Sequence, residues 1–486
     1  MRRLAALALL AAAAAPAGAA SLALEPCRLA GVEHEARCGR VERPLDPARP
    51  DGPKIDVHFA VLPALARRPR DDAVFFFAGG PGQSAIDLAG HVAALLARFG
   101  NRRDIVLVDQ RGTGRSAPLA CDRPPDEWAP TDAQAAHLLA CRDALARRPH
   151  LRAVDDLRHF TTPAAAGDVD AVRRALGLQR VNLVGVSYGT RLALEVMRQF
   201  PQTVRRVVLD GVAPPDMALP RAFAADAQAA LDALFDWCDA DAACRDRHPR
   251  LRARWLEALA RLPAAVTMPE PLGGAPQALT LTRESLPGAL RLALYSPLLA
   301  SALPHAIDEA AQGRWVPLIG LAQALAGGAR APAVAAGAHF SVICAEDMPR
   351  IDAGSGAAAP EAGATFGSPI ADLYRRVCAG WPRGDVPAAF YAVPPSPAPV
   401  LLLSGGIDPV TPPRHGERVR AALGPLARHV VVSNAGHGVL ALACVRDAVF
   451  RFVDADAQDD ALRADADCAR GVPRPPVWAP IAASSP

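Results

Sequence analysis

The chain has 486 residues, which is room for about three domains or for one large domain with an insertion, and enough to bury a core without help from a metal. Hydrophobic residues make up 51% and charged residues 21%, which excludes a disordered, collagen-like or coiled-coil protein. The 53 Lys+Arg and 50 Asp+Glu leave a net charge of +3, too small an excess for a nucleic-acid binder, so nucleic acid is not an expected partner.

Arg2 and Arg3 precede an apolar run over residues 4–15 and a small-residue stretch over 16–20. A positive start, a short apolar centre and an Ala-x-Ala-like end predict a cleavable secretory signal over residues 1–20 and a periplasmic or secreted mature protein. That run is too short to span a bilayer, and no later segment reaches about 18 uninterrupted apolar residues, so no stable membrane insertion is expected. The ten cysteines fall into sequence-neighbour couples: Cys27 with Cys38, Cys121 with Cys141, Cys238 with Cys244, Cys344 with Cys378, and Cys444 with Cys468. Five disulfides in an oxidising compartment are expected, although ten cysteines allow on the order of a thousand pairings.

Short strands are predicted at residues 41–45 and 55–62. Apolar runs follow at 73–77, 104–108, 180–184 and 204–209, with helices at 164–176 and 190–200. Continuous apolar strands alternating with helices mean a mostly parallel sheet covered on both faces. Residues 214–397 carry no repeated strand signal and are Ala/Leu-rich with helical period; strands return at 400–404 and 429–432. A crossover needs only a dozen or more residues, and here about 190 intervene, so most of that stretch is an insertion. The expected organisation is a signal at 1–20, a core at 21–213, a mostly helical cap at 214–397, a second part of the core at 398–470, and an irregular tail at 471–486. Residues 353–367, rich in Gly, Ala and Ser, are expected to form a mobile loop.

Gly185-Val186-Ser187-Tyr188-Gly189 follows a predicted strand and precedes a predicted helix. That context marks a nucleophile elbow, in which a tight turn flanked by glycines exposes Ser187 at the end of its strand. A serine hydroxyl needs a base, and the base needs an acid to orient it. The chain order of nucleophile, acid and histidine expected for such an elbow is met by Asp408, after the strand at 400–404, and by His437, in the Gly-flanked turn after 429–432. Two backbone N–H groups must hold the oxyanion; Tyr188 and Gly80 are the candidates. This chemistry calls for no cofactor and no metal.

Ala78-Gly79-Gly80-Pro81-Gly82, the segment Asp109-Gln110-Arg111-Gly112-Thr113-Gly114-Arg115-Ser116, and Gly185-Val186-Ser187-Tyr188-Gly189-Thr190 resemble three motifs of the prolyl and tripeptidyl aminopeptidase family. The Asp408 and His437 segments resemble the C-terminal region of its secreted tripeptidyl members. The resemblance runs from about residue 27 to 468 and implies an α/β-hydrolase fold with a large helical cap insertion, and a serine exopeptidase acting on peptides with free N-termini. The family carries His-Gly-Gly-Pro-Gly where this chain has Ala78 first. Asp109 and Arg111 are expected to pair within their loop, and Asp168 and Arg173 to be scaffold or surface charges. An aminopeptidase must hold a charged α-amine, whose pKa is about 8. In Ser341-Val342-Ile343-Cys344-Ala345-Glu346-Asp347, Glu346 is the expected amine anchor and Asp347 the second candidate, as acidic cap residues are in the resembling family. A carboxylesterase with the same fold and triad is the competing reading, since only the pocket separates the two.

Overall fold

The computed structural model describes residues 24–122, 128–268, 275–326, 334–352, 365–367 and 369–479. The expected signal, residues 353–364 of the expected mobile loop, and the end of the tail lie outside the described residues. The strands are β1 (Glu25–Cys27), β2 (Ala36–Pro44), β3 (Lys54–Leu62), β4 (Val74–Phe77), β5 (Ile105–Val108), β6 (Val181–Val186), β7 (Val204–Asp210), β8 (Ala264–Met268), β9 (Gln277–Leu281), β10 (Val400–Gly405) and β11 (Ala427–Val432). Nine of them form one sheet in the order β1-β2-β3-β5-β4-β6-β7-β10-β11. The pairs from β1 to β5 are antiparallel, and every pair from β5 to β11 is parallel.

Successive side chains of a strand face opposite sides of the sheet, and here both sides are covered. Phe75, Phe77, Leu183, Val207, Leu209 and Leu402 belong to one buried cluster, while their neighbours Val74, Phe76, Val184, Val208, Leu401 and Leu403 belong to another. That is why these strands read as unbroken apolar runs rather than alternating ones.

Eight helices matter for the site: α1 (Thr162–Ala175), α2 (Tyr188–Gln199), α3 (Leu219–Ala240), α4 (Leu286–Leu294), α5 (Ala336–Glu346), α6 (Pro369–Ala379), α7 (Pro413–Leu423) and α8 (Ala443–Asp454). Asp168 on α1 faces inward rather than outward, accepting from Arg43 Nε at 3.0 Å and from Arg111 Nε at 2.7 Å. Asp109 accepts from Ser84 Oγ and from the backbone of Ile86 and Arg115, which shapes the loop after β5.

Between β7 and β10 the chain builds a third buried cluster of its own, including Leu231, Phe235, Trp255, Leu290, Ile307 and Ile319. The insertion also holds the antiparallel β8–β9 hairpin, which the sequence pattern did not announce. Most of its residues are only partly buried or exposed, so it has no continuous apolar run to betray it. Part of the insertion packs elsewhere: Ala338, Phe340, Ile343 and Cys344 of α5, with Val377 and Cys378 of α6, join the sheet-face cluster rather than the insertion's own.

The five cysteine couples are the five disulfides, with Cα–Cα distances between 5.0 and 6.2 Å, and no free cysteine remains. Cys344–Cys378 ties α5 to α6 across 34 residues of chain. Among the described residues no helix is long and apolar enough to cross a membrane. Peptide mapping under non-reducing conditions is expected to return these five cross-linked pairs and no alkylatable thiol; any crossed pair contradicts the packing of α5 on α6.

Candidate active site

The register of the parallel strands brings four strand ends together. Phe77 pairs with Gly185, Val186 with Asp210, and Asp210 with Leu403. The segments after β4, β6, β7 and β10 therefore leave the sheet side by side at its carboxyl edge, where ligands bind in open α/β sheets.

Ser187 stands between β6 and α2 with φ +57° and ψ −126°, a left-handed conformation that strains a non-glycine residue by about 1–3 kcal/mol. Crowding on both sides explains the flanking glycines. A Cβ on Gly185 would lie 2.4 Å from Gly189 O, and one on Gly189 would lie 2.2 Å from Phe77 O. The turn is pinned by Ser187 N donating to Asp210 O at 2.8 Å and by Thr190 donating back to Ser187 O.

Asp408 and His437 meet directly, with 2.8 Å between Oδ2 and Nδ1. Asp408 is buried and accepts from Val410 N at 2.8 Å, Thr411 N at 2.9 Å and Thr411 Oγ1 at 2.7 Å. Burial pushes its carboxyl up, but the charge and hydrogen bond of His437 and the Thr411 donors outweigh this and hold it below the ordinary carboxylate value. Burial likewise pushes His437 down, and the charge and hydrogen bond of Asp408 outweigh it, so the imidazole sits above its ordinary 6.5. With Nδ1–H committed to Asp408, Nε2 is the free, basic nitrogen. Ser187 Oγ has no hydrogen-bond partner among the described residues; such links often tighten only when a substrate is bound.

The loop bearing His437 is held by groups that the sequence reading did not single out. His437 N donates to Tyr295 O at 3.0 Å, and the Tyr295 ring meets the imidazole edge-on at 5.1 Å. Asp210, at the end of β7, accepts from Val439 N at 3.0 Å and Leu440 N at 2.8 Å. Burial pushes Asp210 up to about 6 against those two donors. Its one sequence cue is its position at a strand's carboxyl end, which Asp408 shares.

Tyr188 is the first residue of α2, so its N–H is one of those that have no acceptor within the helix. Gly80 has φ +107°, and a Cβ there would lie 2.7 Å from Gly82 N, so only glycine fits. A Cβ on Gly79 would lie 3.1 Å from Ser187 Cβ, which brings this turn against Ser187. Ala78 is buried beneath it.

Glu346 and Asp347, the expected amine anchors, face packed protein in this structure. Both are 0% exposed. Glu346 accepts from Thr162 N at 2.6 Å and Thr162 Oγ1 at 2.9 Å, and Arg191 lies 3.4 Å away. Asp347 accepts from Arg191 Nη1 at 3.0 Å. The reason is the packing of α5: its C-terminal end is driven against α1 and α2 beneath Tyr188, so the acidic pair points into protein rather than into a cleft. Burial pushes Glu346 up to about 7 and Asp347 up to about 6, with Arg191 opposing in both cases. Thr162 Oγ1 also meets Tyr188 OH at 2.6 Å, so the cluster braces the start of α2.

The α/β-hydrolase fold family model matches residues 72–442. Tripeptidyl aminopeptidase of Streptomyces lividans is 35% identical over 193 residues, which is 37% of this chain and 36% of that protein. Serine protease Hip1 of Mycobacterium bovis is 32% identical over 213 residues, covering 39% of each chain. Carboxylesterase B of Mycobacterium tuberculosis is 27% identical over 196 residues, covering 37% of this chain and 36% of that one. The matches thus span little more than a third of the length of these relatives.

Asp408→Asn is expected to lower kcat by roughly 10⁴-fold, because the imidazole loses its tautomer and its counter-charge. A base must be neutral to work, and the raised His437 stays protonated to higher pH; kcat/KM should therefore fall, as pH is lowered, around a midpoint above 6.5. Glu346→Gln, which keeps an acceptor for Thr162 N but not both carboxylate oxygens, should leave the KM for free-amine peptides within about threefold, whereas Glu346→Ala should cost about 1–3 kcal/mol of stability by stranding the Thr162 donors. A KM raised a hundredfold for free-amine but not N-acetylated peptides in Glu346→Gln would restore the amine-anchor role.

Proposed function

The chain belongs to the α/β-hydrolase fold family, and from that premise we propose that it is an exported serine exopeptidase, an aminopeptidase releasing prolyl residues or tripeptides from free peptide N-termini. The observation that carries this reading is the strained Ser187 turn at the same sheet edge as the buried Asp408–His437 pair. The names of its relatives, a tripeptidyl aminopeptidase and a serine protease, support peptides as substrates. Five disulfides suit an oxidising compartment.

In the proposed cycle Ser187 Oγ attacks the scissile carbonyl while His437 Nε2 takes its proton. Negative charge develops on the carbonyl oxygen, opposite the N–H groups of Gly80 and Tyr188. The tetrahedral species collapses to an acyl-enzyme as His437 returns the proton to the leaving amine. Water, deprotonated by the same imidazole, then releases the acyl group and regenerates Ser187. Asp408 stays ionised and steadies the imidazolium throughout.

A carboxylesterase is the second reading, favoured by one observation. The insertion residues seen touching His437 and the Gly80 turn, among the described residues, are Tyr295, His339, Val334 and Ala335, none of them acidic. With Glu346 and Asp347 sealed, an α-amine has no assigned partner. The carboxylesterase among the relatives is in keeping with this reading.

A paired assay on oxidised protein separates the two. One arm offers free and N-acetylated forms of the same short peptides, including Pro and Ala-Ala-Pro on an amine reporter; the other offers short-chain nitrophenyl esters. Turnover confined to free-amine peptides is the expected result, with the fragment length separating prolyl from tripeptidyl release. Ester turnover without peptide turnover makes the esterase the answer. Ser187→Ala should lower kcat by roughly 10⁴–10⁶ in whichever arm is active.

A further inference from the structure

Helix α5 touches both sides of the candidate oxyanion hole. At its far end the Glu346 cluster braces Tyr188 through Thr162. At its near end it grips the turn that carries Gly80. Ala335 N donates to Gly82 O at 2.9 Å, and a Cβ on Gly82 would lie 2.9 Å from Ala335 O. One turn into the helix, His339 Nδ1 lies 3.0 Å from Pro81 O, and His339 Nε2 lies 2.7 Å from Tyr374 OH on α6.

These contacts determine the state of the imidazole. Pro81 O can only accept, so Nδ1 carries the proton. In the neutral ring Nε2 then accepts, and the Tyr374 hydroxyl donates. Burial agrees, pushing His339 down to about 4 and so keeping it neutral at working pH. The pair is set in an aromatic layer: Phe340 lies 5.2 Å from Tyr374 and 5.6 Å from Trp381, centroid to centroid, and Trp381 Nε1 donates to Ser341 Oγ. Cys344–Cys378 locks α5 to α6 on the same side. The proposed catalytic cycle uses neither side chain.

We propose that His339 is a positioning residue for the oxyanion hole: donating to Pro81 O and oriented by Tyr374, it holds the 80–82 turn so that the Gly80 N–H points where the oxyanion forms. The helix thereby couples the insertion to the rate of acyl transfer rather than to substrate choice. This rests on the serine-hydrolase reading of Ser187 but not on peptides being the substrate, because any acyl group needs the same hole.

The test compares His339→Phe, His339→Asn and Tyr374→Phe with the intact protein. Phe keeps an aromatic ring and removes the donor; Asn restores a donor near the Nδ1 position. Three readouts are taken: kcat and KM on whichever ester or peptide is turned over, the Ki of a short peptide boronate, and the rate at which a fluorophosphonate labels Ser187. His339→Phe is expected to lower kcat and the labelling rate by about tenfold to a hundredfold and to weaken the boronate by a similar factor, with KM within about threefold. His339→Asn should recover most of the loss, and Tyr374→Phe should show a smaller loss. The acid limb of the pH profile should not move, since His339 does not exchange protons in the cycle.

Intrinsic rates and boronate affinity in a folded His339→Phe protein overturn the proposal. So does a change confined to KM, which would make His339 a substrate contact. If His339→Phe does not fold, an added His339→Ala variant, checked for native disulfides, takes its place: slowed labelling supports the proposal and unslowed labelling overturns it. Failure of the intact protein to be labelled at Ser187 refutes the serine-hydrolase reading itself, a result distinct from equal labelling of intact and variant proteins.

Discussion

A serine with φ +57° persists only because everything around it is too crowded to let it relax. Gly185 and Gly189 touch backbone where any side chain would collide, and Gly189 does so against the end of β4 at Phe77, three residues before Gly80. Relieving the strain at Ser187 would require β4, β6 and the start of α2 to separate, which the two hydrophobic clusters on the faces of the sheet oppose. The parallel register carries the same constraint sideways, since Ser187 N is bonded to Asp210 O and Asp210 in turn holds the loop of His437. Ser187, His437 and the Gly80 turn are thus positioned by one sheet edge.

Buried charge is the second organising theme. Arg191 is 0% exposed beneath the elbow, bonded to Asp347 and to the carbonyls of Pro214 and Met217. Arg111 is clamped to Asp168 with further bonds to Leu45 O and His159 O. Buried ion pairs add little net stability, but removing one partner leaves an uncompensated charge and is strongly destabilising. Such pairs suit a role in fixing geometry. The Arg191 cluster joins the nucleophile helix, the first residues of the insertion and the end of α5, three segments distant in sequence. Its carboxylates are therefore committed to architecture, which is why acidity near a site did not translate into an amine anchor.

The insertion is more than a lid over the sheet. Part of it builds its own core, yet α5 is packed into the sheet-face cluster and tied to α6 by a disulfide. Its two ends reach the two candidate oxyanion donors. Tyr295, from α4's C-terminal edge, reaches the base. Insertion and core are thus linked at the backbone groups that the proposed cycle assigns to the oxyanion.

The sequence by itself was enough for the parallel strands, the glycine-flanked tight turn at Ser187, the places of Asp408 and His437 after their strands, and the neighbouring cysteine couples. Each of these is written in local pattern: apolar runs, glycine spacing, a residue type at a strand's end, a short separation along the chain. What only the tertiary structure decided involves contacts without any such spacing. His339 meets Pro81 across 258 residues and Glu346 meets Thr162 across 184, and no periodicity relates positions so far apart. Helical period marked residues 214–397 as a mostly helical insertion, but not which partners the faces of its helices would meet. Whether Glu346 lines a cleft or lies sealed against Arg191 depends on how that helix docks, and docking is set by the packed surfaces of the whole fold.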